Sequence, residues 1–164
     1  MESGCQMFVP RRLSVLLDRI PTFFEEPEVA RYVTLVGSAG GFTIPDPAAE
    51  LPLSDRHFQD IDAPGLINGS LPVIFFRTTQ TGNPRFSVRL NSTPLTQHAF
   101  SQPEATPRGW HEIIPAGALK PERNELTFAV SGDGNVRFSD VVILYRSNKL
   151  TVKRPFLEPP IAHG

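Results

Sequence analysis

The stretch Glu125–Tyr145, ELTFAVSGDGNVRFSDVVILY, decides the fold class of this chain. Leu126, Phe128 and Val130 alternate with small or polar residues, the two-residue period of a strand with one buried face. Gly132-Asp133-Gly134-Asn135 follows, a run suited to positive backbone angles, and predicts a tight hairpin. Beyond it Val136 and Phe138 hold one phase while Val141, Ile143 and Tyr145 hold the other. That phase shift predicts a β-bulge near Ser139-Asp140.

The same alternation extends upstream. In Arg85–Asn91, Phe86, Val88 and Leu90 point inward and Arg85, Ser87 and Arg89 outward. Asn91-Ser92-Thr93-Pro94 predicts a tight hairpin connection to Leu95–Phe100. Matching Leu90 to Leu95 sets Arg89 opposite Thr96 and Ser87 opposite His98, which gathers Arg85, Arg89 and His98 on one polar face. Leu71–Thr79 is apolar on both faces, with Leu71, Val73 and Phe75 on one and Ile74 and Phe76 on the other. It reads as a central strand covered on each side, ended by a turn at Thr81-Gly82-Asn83-Pro84. Tyr32–Val36, Leu53–Ile61, Trp110–Pro115 and Leu150–Lys153 add further strands, with Gly37–Pro52 as a loop and Ala116–Arg123 as a turn crossing between sheets. Eight or so short strands at this spacing specify an all-β sandwich or barrel.

Composition agrees. Seventeen prolines, about twice average usage, disfavour a helical bundle because proline removes an amide donor and breaks helix interiors. Twelve phenylalanines against one tryptophan and two tyrosines suit strands with an aromatic core. Residues 1–30 read differently, as an N-terminal arm or short helix: Leu13, Leu16, Leu17 and Ile20 share one helical face, bracketed by Pro10, Pro21 and Pro27. The expected organisation is an arm at 1–30, a sandwich at 31–154 and a proline-rich tail at 155–164.

Net charge is −1, which gives no global attraction to nucleic acid or anionic membrane. Arg146, Lys149, Lys153 and Arg154 are not interleaved with stacking aromatics, which argues against single-stranded nucleic acid. The halves differ: residues 1–70 carry −5 and residues 71–164 carry +4, as if an acidic N-terminal segment lay on a mildly basic body. The single cysteine, Cys5, forbids an internal disulfide and any multi-cysteine zinc site. No stretch has the roughly 20 apolar residues that span a bilayer, and the first residues lack a signal-peptide pattern, so the expected compartment is cytoplasmic.

One resemblance stands out. Leu90-Asn91, Trp110, Ile114-Pro115, Leu119, Asn124, Leu126 and Tyr145 form a sequence of landmarks over residues 85–146. That run resembles the second half of galactose-binding-like jelly rolls, the fold of many carbohydrate-binding modules. The resemblance implies a jelly-roll β-sandwich of about eight strands; it is a fold signature, and function must be argued from a site.

Candidate chemistry is sparse. His57, His98, His111 and His163 make no ligand pair, so no metal site is expected, and no cofactor is implied. Asp133, Asn135 and Asp140 have oxygens suited to calcium, but the same residues serve a tight turn, which is the preferred reading. Gly-x-Ser-x-Gly is absent, and Cys5 lacks surroundings that would activate a thiolate. Trp110 is either a stacking platform for a sugar ring or a core anchor, the latter favoured. Arg85, Arg89, Asn91 and His98 complete the candidate ligand-binding set. The expected function is a non-catalytic binding or assembly module engaging a glycan or a protein partner, with homo-oligomerisation through the arm as one route. The alternative is a cofactor-independent cyclase or isomerase using a phenylalanine-lined pocket between the sheets, with Arg89, His98 or Glu112 at its mouth.

Overall fold

The computed structural model describes residues 28–102 and 106–149. Seven strands follow in order: β1 Val29–Val36, β2 Phe42–Ile44, β3 Asp55–Ile61, β4 Val73–Leu90, β5 Thr93–Ala99, β6 Arg108–Ile113 and β7 Asn124–Ser147. All pairings are antiparallel. The expected arm, the Leu150–Lys153 strand, the proline-rich tail, Cys5 and His163 lie outside the described residues.

The two long strands organise everything else. β4 and β7 pair along their whole length, from Val73 opposite Leu144 to Leu90 opposite Leu126. In a straight strand Phe76 and Phe86 would stand about 33 Å apart, yet their ring centroids are 6.0 Å apart. Phe128 and Phe138, also ten residues apart, are 4.8 Å from each other. The ribbon is therefore folded in half.

The fold line corrects the two turns expected from the sequence. Thr81-Gly82-Asn83-Pro84 and Gly132-Asp133-Gly134-Asn135 are not separate hairpins; they pair with each other, Thr81 opposite Asn135 through Pro84 opposite Gly132. Gly82, Gly132 and Gly134 have φ of 71°, 89° and 120°, which bends both strands together. A chain that reverses at one run makes a hairpin. Two such runs side by side bend a ribbon.

Each half of the ribbon carries its own neighbours. The first sheet is β1, the C-terminal half of β7, the N-terminal half of β4, and β6, with β2 beside residues 136–138. The second is β3, the N-terminal half of β7, the C-terminal half of β4, and β5. Because β4 and β7 each contribute to both, the sandwich has the expected all-β jelly-roll architecture. Between the sheets lie Phe76, Phe86, Phe128 and Phe138, all fully buried, with Ile74, Val88, Leu126, Val136 and Ile143. The edge-to-face ring contacts Phe76–Phe128 at 5.8 Å and Phe86–Phe138 at 5.7 Å join the two halves. The inter-sheet space where an enzymatic pocket was conceivable is thus filled with phenylalanine.

Three local readings also change. The hairpin after Leu90 is tight, with Asn91 at φ 53°, but a bulge between Val88 and Arg89 slips the register by one. His98 therefore faces Phe86 and not Ser87, and it leaves the polar face that holds Arg85 and Arg89. The loop expected at Gly37–Pro52 contains β2. Finally, β4 is central within its sheets, but its outer face is only partly covered: Val73 is half-buried and Phe75 is 40% exposed. The bulge near Ser139-Asp140 is present: Asp140 has φ 52°, and the register against β4 shifts between Phe75 and Arg77.

Candidate functional site

Asp55 and His57 alternate with Phe58 on β3, so both project from the outer face of the second sheet. His57 stands opposite Thr127, with Glu125 two residues before it on β7. The imidazole Nδ1 lies 2.5 Å from a Glu125 carboxylate oxygen and 3.2 Å from the Thr127 hydroxyl, while Nε2 lies 3.1 Å from Asp55. Both ring nitrogens thus face carboxylates.

Hydrogen bonding to Glu125 first, then to Asp55, raises the His57 pKa above its ordinary 6.5. A raised histidine pKa means that the protonated ring favours the folded state. That contribution is complete below the unfolded pKa and is lost as pH rises through the folded one. A proton NMR titration should place the His57 midpoint above 6.5. Glu125→Gln should lower the midpoint more than Asp55→Asn does, and equal midpoints in all three proteins would rule out the carboxylate bracket.

Two depressions meet at this histidine. One is a shallow groove of about 330 Å³ over the sheet face, lined by Asp55, His57, Ser87, Arg89, Glu125 and Thr127. The other is a cleft of about 620 Å³ at the sandwich edge, between β2, β3 and the loop joining them. Its walls combine the apolar Phe42, Ile44, Leu51 and Leu53 with Asp46, Arg56 and Arg137. β2 and β3 are successive neighbours on one flank of β7, which brings residues from both sheets to this edge. Arg56 lies over the Phe42 and Phe58 rings, 4.7 and 5.2 Å from their centroids. A Cβ on Gly41 would come within 2.6 Å of the Arg137 guanidinium, so glycine there admits the arginine to the cleft. Asp55 and His57 line both depressions, making one furrow.

The residues singled out from sequence are distributed differently. Arg89 lies in the furrow, and Arg85 is exposed on the same sheet face. Trp110 belongs to the core edge: it stacks on Phe76 at 6.1 Å, meets Phe86 edge-on at 5.1 Å and donates to Thr78 Oγ1 at 2.8 Å. Arg108 lies over its ring at 4.3 Å, so the indole is not an open sugar platform. His98 packs against Phe100 and Trp110, with centroids at 4.8 and 4.9 Å. Asn91 lines the sheet-face groove beside Arg89 and is also a structural clasp; its amide donates to the Ala118 carbonyl and to Asn124 Oδ1, and its own Oδ1 accepts from the Glu125 N–H.

Asp55, His57, Arg56 and Arg137 were missed. The Asp55-x-His57 spacing did place two polar groups on one strand face, but their partner Glu125 is 68 residues from His57. Among the described residues no group of three or more His, Cys, Asp and Glu is arranged to hold a metal ion.

No protein-family model and no curated protein matches the chain. Solved structures do. Latent PorU from Porphyromonas gingivalis matches 73% of this chain at 12% identity with a TM-score of 0.51. The fold is a jelly-roll β-sandwich. The matched part is 13% of PorU's length, and at this identity the likeness shows the fold alone. The chain is also similar to the K1 cleaved adhesin domain of Lys-gingipain from the same bacterium, at 13% identity over 71% of this chain and 97% of that one, TM-score 0.40. A family-36 carbohydrate-binding module, in complex with calcium and xylotriose, matches 71% of this chain and 99% of its own at 13% identity, TM-score 0.37.

Proposed function

We propose that this jelly roll is a non-catalytic binding module that holds a glycan in the furrow around His57. The observation that carries the reading is the mixed chemistry of two adjoining depressions that share Asp55 and His57, walled by strands and by the loop joining β2 to β3. Sugar hydroxyls both donate and accept, and the furrow offers carboxylate acceptors at Asp46, Asp55 and Glu125 beside guanidinium donors at Arg56, Arg89 and Arg137. Leu51 and Leu53, 84% and 69% exposed, supply apolar surface for the C–H face of a sugar ring. Asp55 and Glu125 are both engaged by His57, an arrangement suited to orienting a ligand.

A glycan array probed with the folded protein tests this, followed by titration calorimetry on the best ligand. His57→Ala and Arg137→Ala should each weaken binding at least ten-fold, about 1.4 kcal/mol, with Glu122→Ala unchanged. An array with no signal above background would overturn the glycan reading. So would a ligand whose affinity is indifferent to both substitutions.

A further inference from the structure

The two outer faces of the sandwich differ in kind. On the second sheet, one cross-strand row reads Asp55–Ala129–Ser87–Gln97 and the next His57–Thr127–Arg89–Pro94. On the first sheet, the register aligns Tyr32, Leu144, Val73 and Ile113 in one row across all four strands. The next row is Thr34, Val142, Phe75 and His111. Tyr32 is 71% exposed, Ile113 62% and Phe75 40%. Antiparallel sheets that face water carry polar residues on that face, and contiguous apolar patches on soluble domains mark surfaces that something covers. A groove of about 560 Å³ runs over this face, bounded by Phe75, Val142, Arg77, His111 and Asp140.

We propose that residues 13–24 of the same chain lie over this face, with large apolar side chains seated in the groove. Three observations select that occupant. Residues 1–27 join the domain at the start of β1, the edge strand of this sheet. Glu28 forms an ion pair with Arg146, which shares the outer face with Leu144 and Val142, so the first described side chain after residues 1–27 lies on the apolar side. Leu13, Leu16, Leu17, Ile20, Phe23 and Phe24 supply the apolar complement, followed in sequence by the acidic Glu25 and Glu26, opposite in charge to Arg146. Reach is sufficient. Four strands span about 15 Å, and twelve residues cover about 18 Å as a helix or about 40 Å extended. The surface is separate from the His57 furrow, and the inference does not depend on glycan binding.

Carbene footprinting of the full chain against a variant lacking residues 1–24 tests the assignment. The Leu16→Asp/Leu17→Asp double variant serves as a second probe that keeps the chain length. Tyr32, Phe75 and Leu144 should label at least three-fold more in both variants, while the full chain sediments as a monomer. Equal labelling in all three proteins would overturn the proposal, since the face would then be open or covered by something else. Protection that disappears on dilution, as a dimer dissociates, would assign the face to a second copy and overturn it as well.

Discussion

Gly134→Ala should unfold this domain at temperatures where the parent is stable. Gly134 sits where β7 crosses β4 at the fold of the ribbon, and a Cβ there would stand 1.9 Å from the Thr81 carbonyl oxygen. That atom is backbone, so no side chain can rotate away. Its φ of 120° also lies where residues with a side chain are strained by about 1–3 kcal/mol. Relief requires the two strands to separate at the bend that superposes the sheets, so the loss should reach about 4 kcal/mol or more, a large share of the roughly 5–15 kcal/mol that stabilises a domain. Gly82→Ala should act in the same direction, with its Cβ 2.5 Å from the Asp133 carbonyl oxygen. Gly109→Ala is the control: nothing lies within 4 Å, and its effect should stay within about 0.5 kcal/mol. Urea denaturation followed by circular dichroism measures all three, and a Gly134→Ala midpoint equal to that of Gly109→Ala would refute the crossing geometry.

Asn124→Ala should cost about 3–4 kcal/mol, although it removes no apolar surface of consequence. Asn124 is fully buried, and its amide donates to the Ile61 and Lys120 carbonyls at 2.8 and 2.7 Å. Its Oδ1 accepts from the Lys120 N–H at 2.8 Å and from the Asn91 amide at 3.1 Å. One side chain thus ties β3, the 118–123 turn and the β4–β5 hairpin together. Truncation leaves groups from all three without a partner in a site too enclosed to hydrate freely. Asn124→Asp should be no rescue, because a carboxylate oxygen would face the Ile61 and Lys120 carbonyls where an N–H₂ donated before. A denaturation midpoint for Asn124→Ala within about 0.5 kcal/mol of the parent would show that the clasp is ornamental.

These two residues show what kind of information the landmarks at 85–146 carried. Leu90, Ile114, Leu119, Asn124, Leu126 and Tyr145 are all buried, so the resemblance to galactose-binding-like jelly rolls was a record of packing. It named the fold and was silent on ligand. Arg89 was legible as a surface group because strict alternation on β4 fixes its face. His57 was legible only as a polar residue on the strand expected at Leu53–Ile61; that Glu125 closes on it depends on a pairing between strands far apart in the chain.

The sequence by itself determined the all-β class, the inward phase of Phe86, Val88, Leu90, Leu126, Phe128 and Val130, the bulge at Ser139-Asp140, and the tight turn after Leu90. All of these are local consequences of side-chain period and backbone freedom, acting over a few residues. Only the tertiary structure decided that two glycine-rich runs meet and bend a ribbon, that a one-residue slip turns His98 toward Phe86 and Trp110, and that Asp55, His57 and Glu125 share a furrow. The physical reason is the same in each case. A strand satisfies its backbone hydrogen bonds with a partner whose distance along the chain is unrestricted, so period specifies which face a residue takes but not which strand lies beside it.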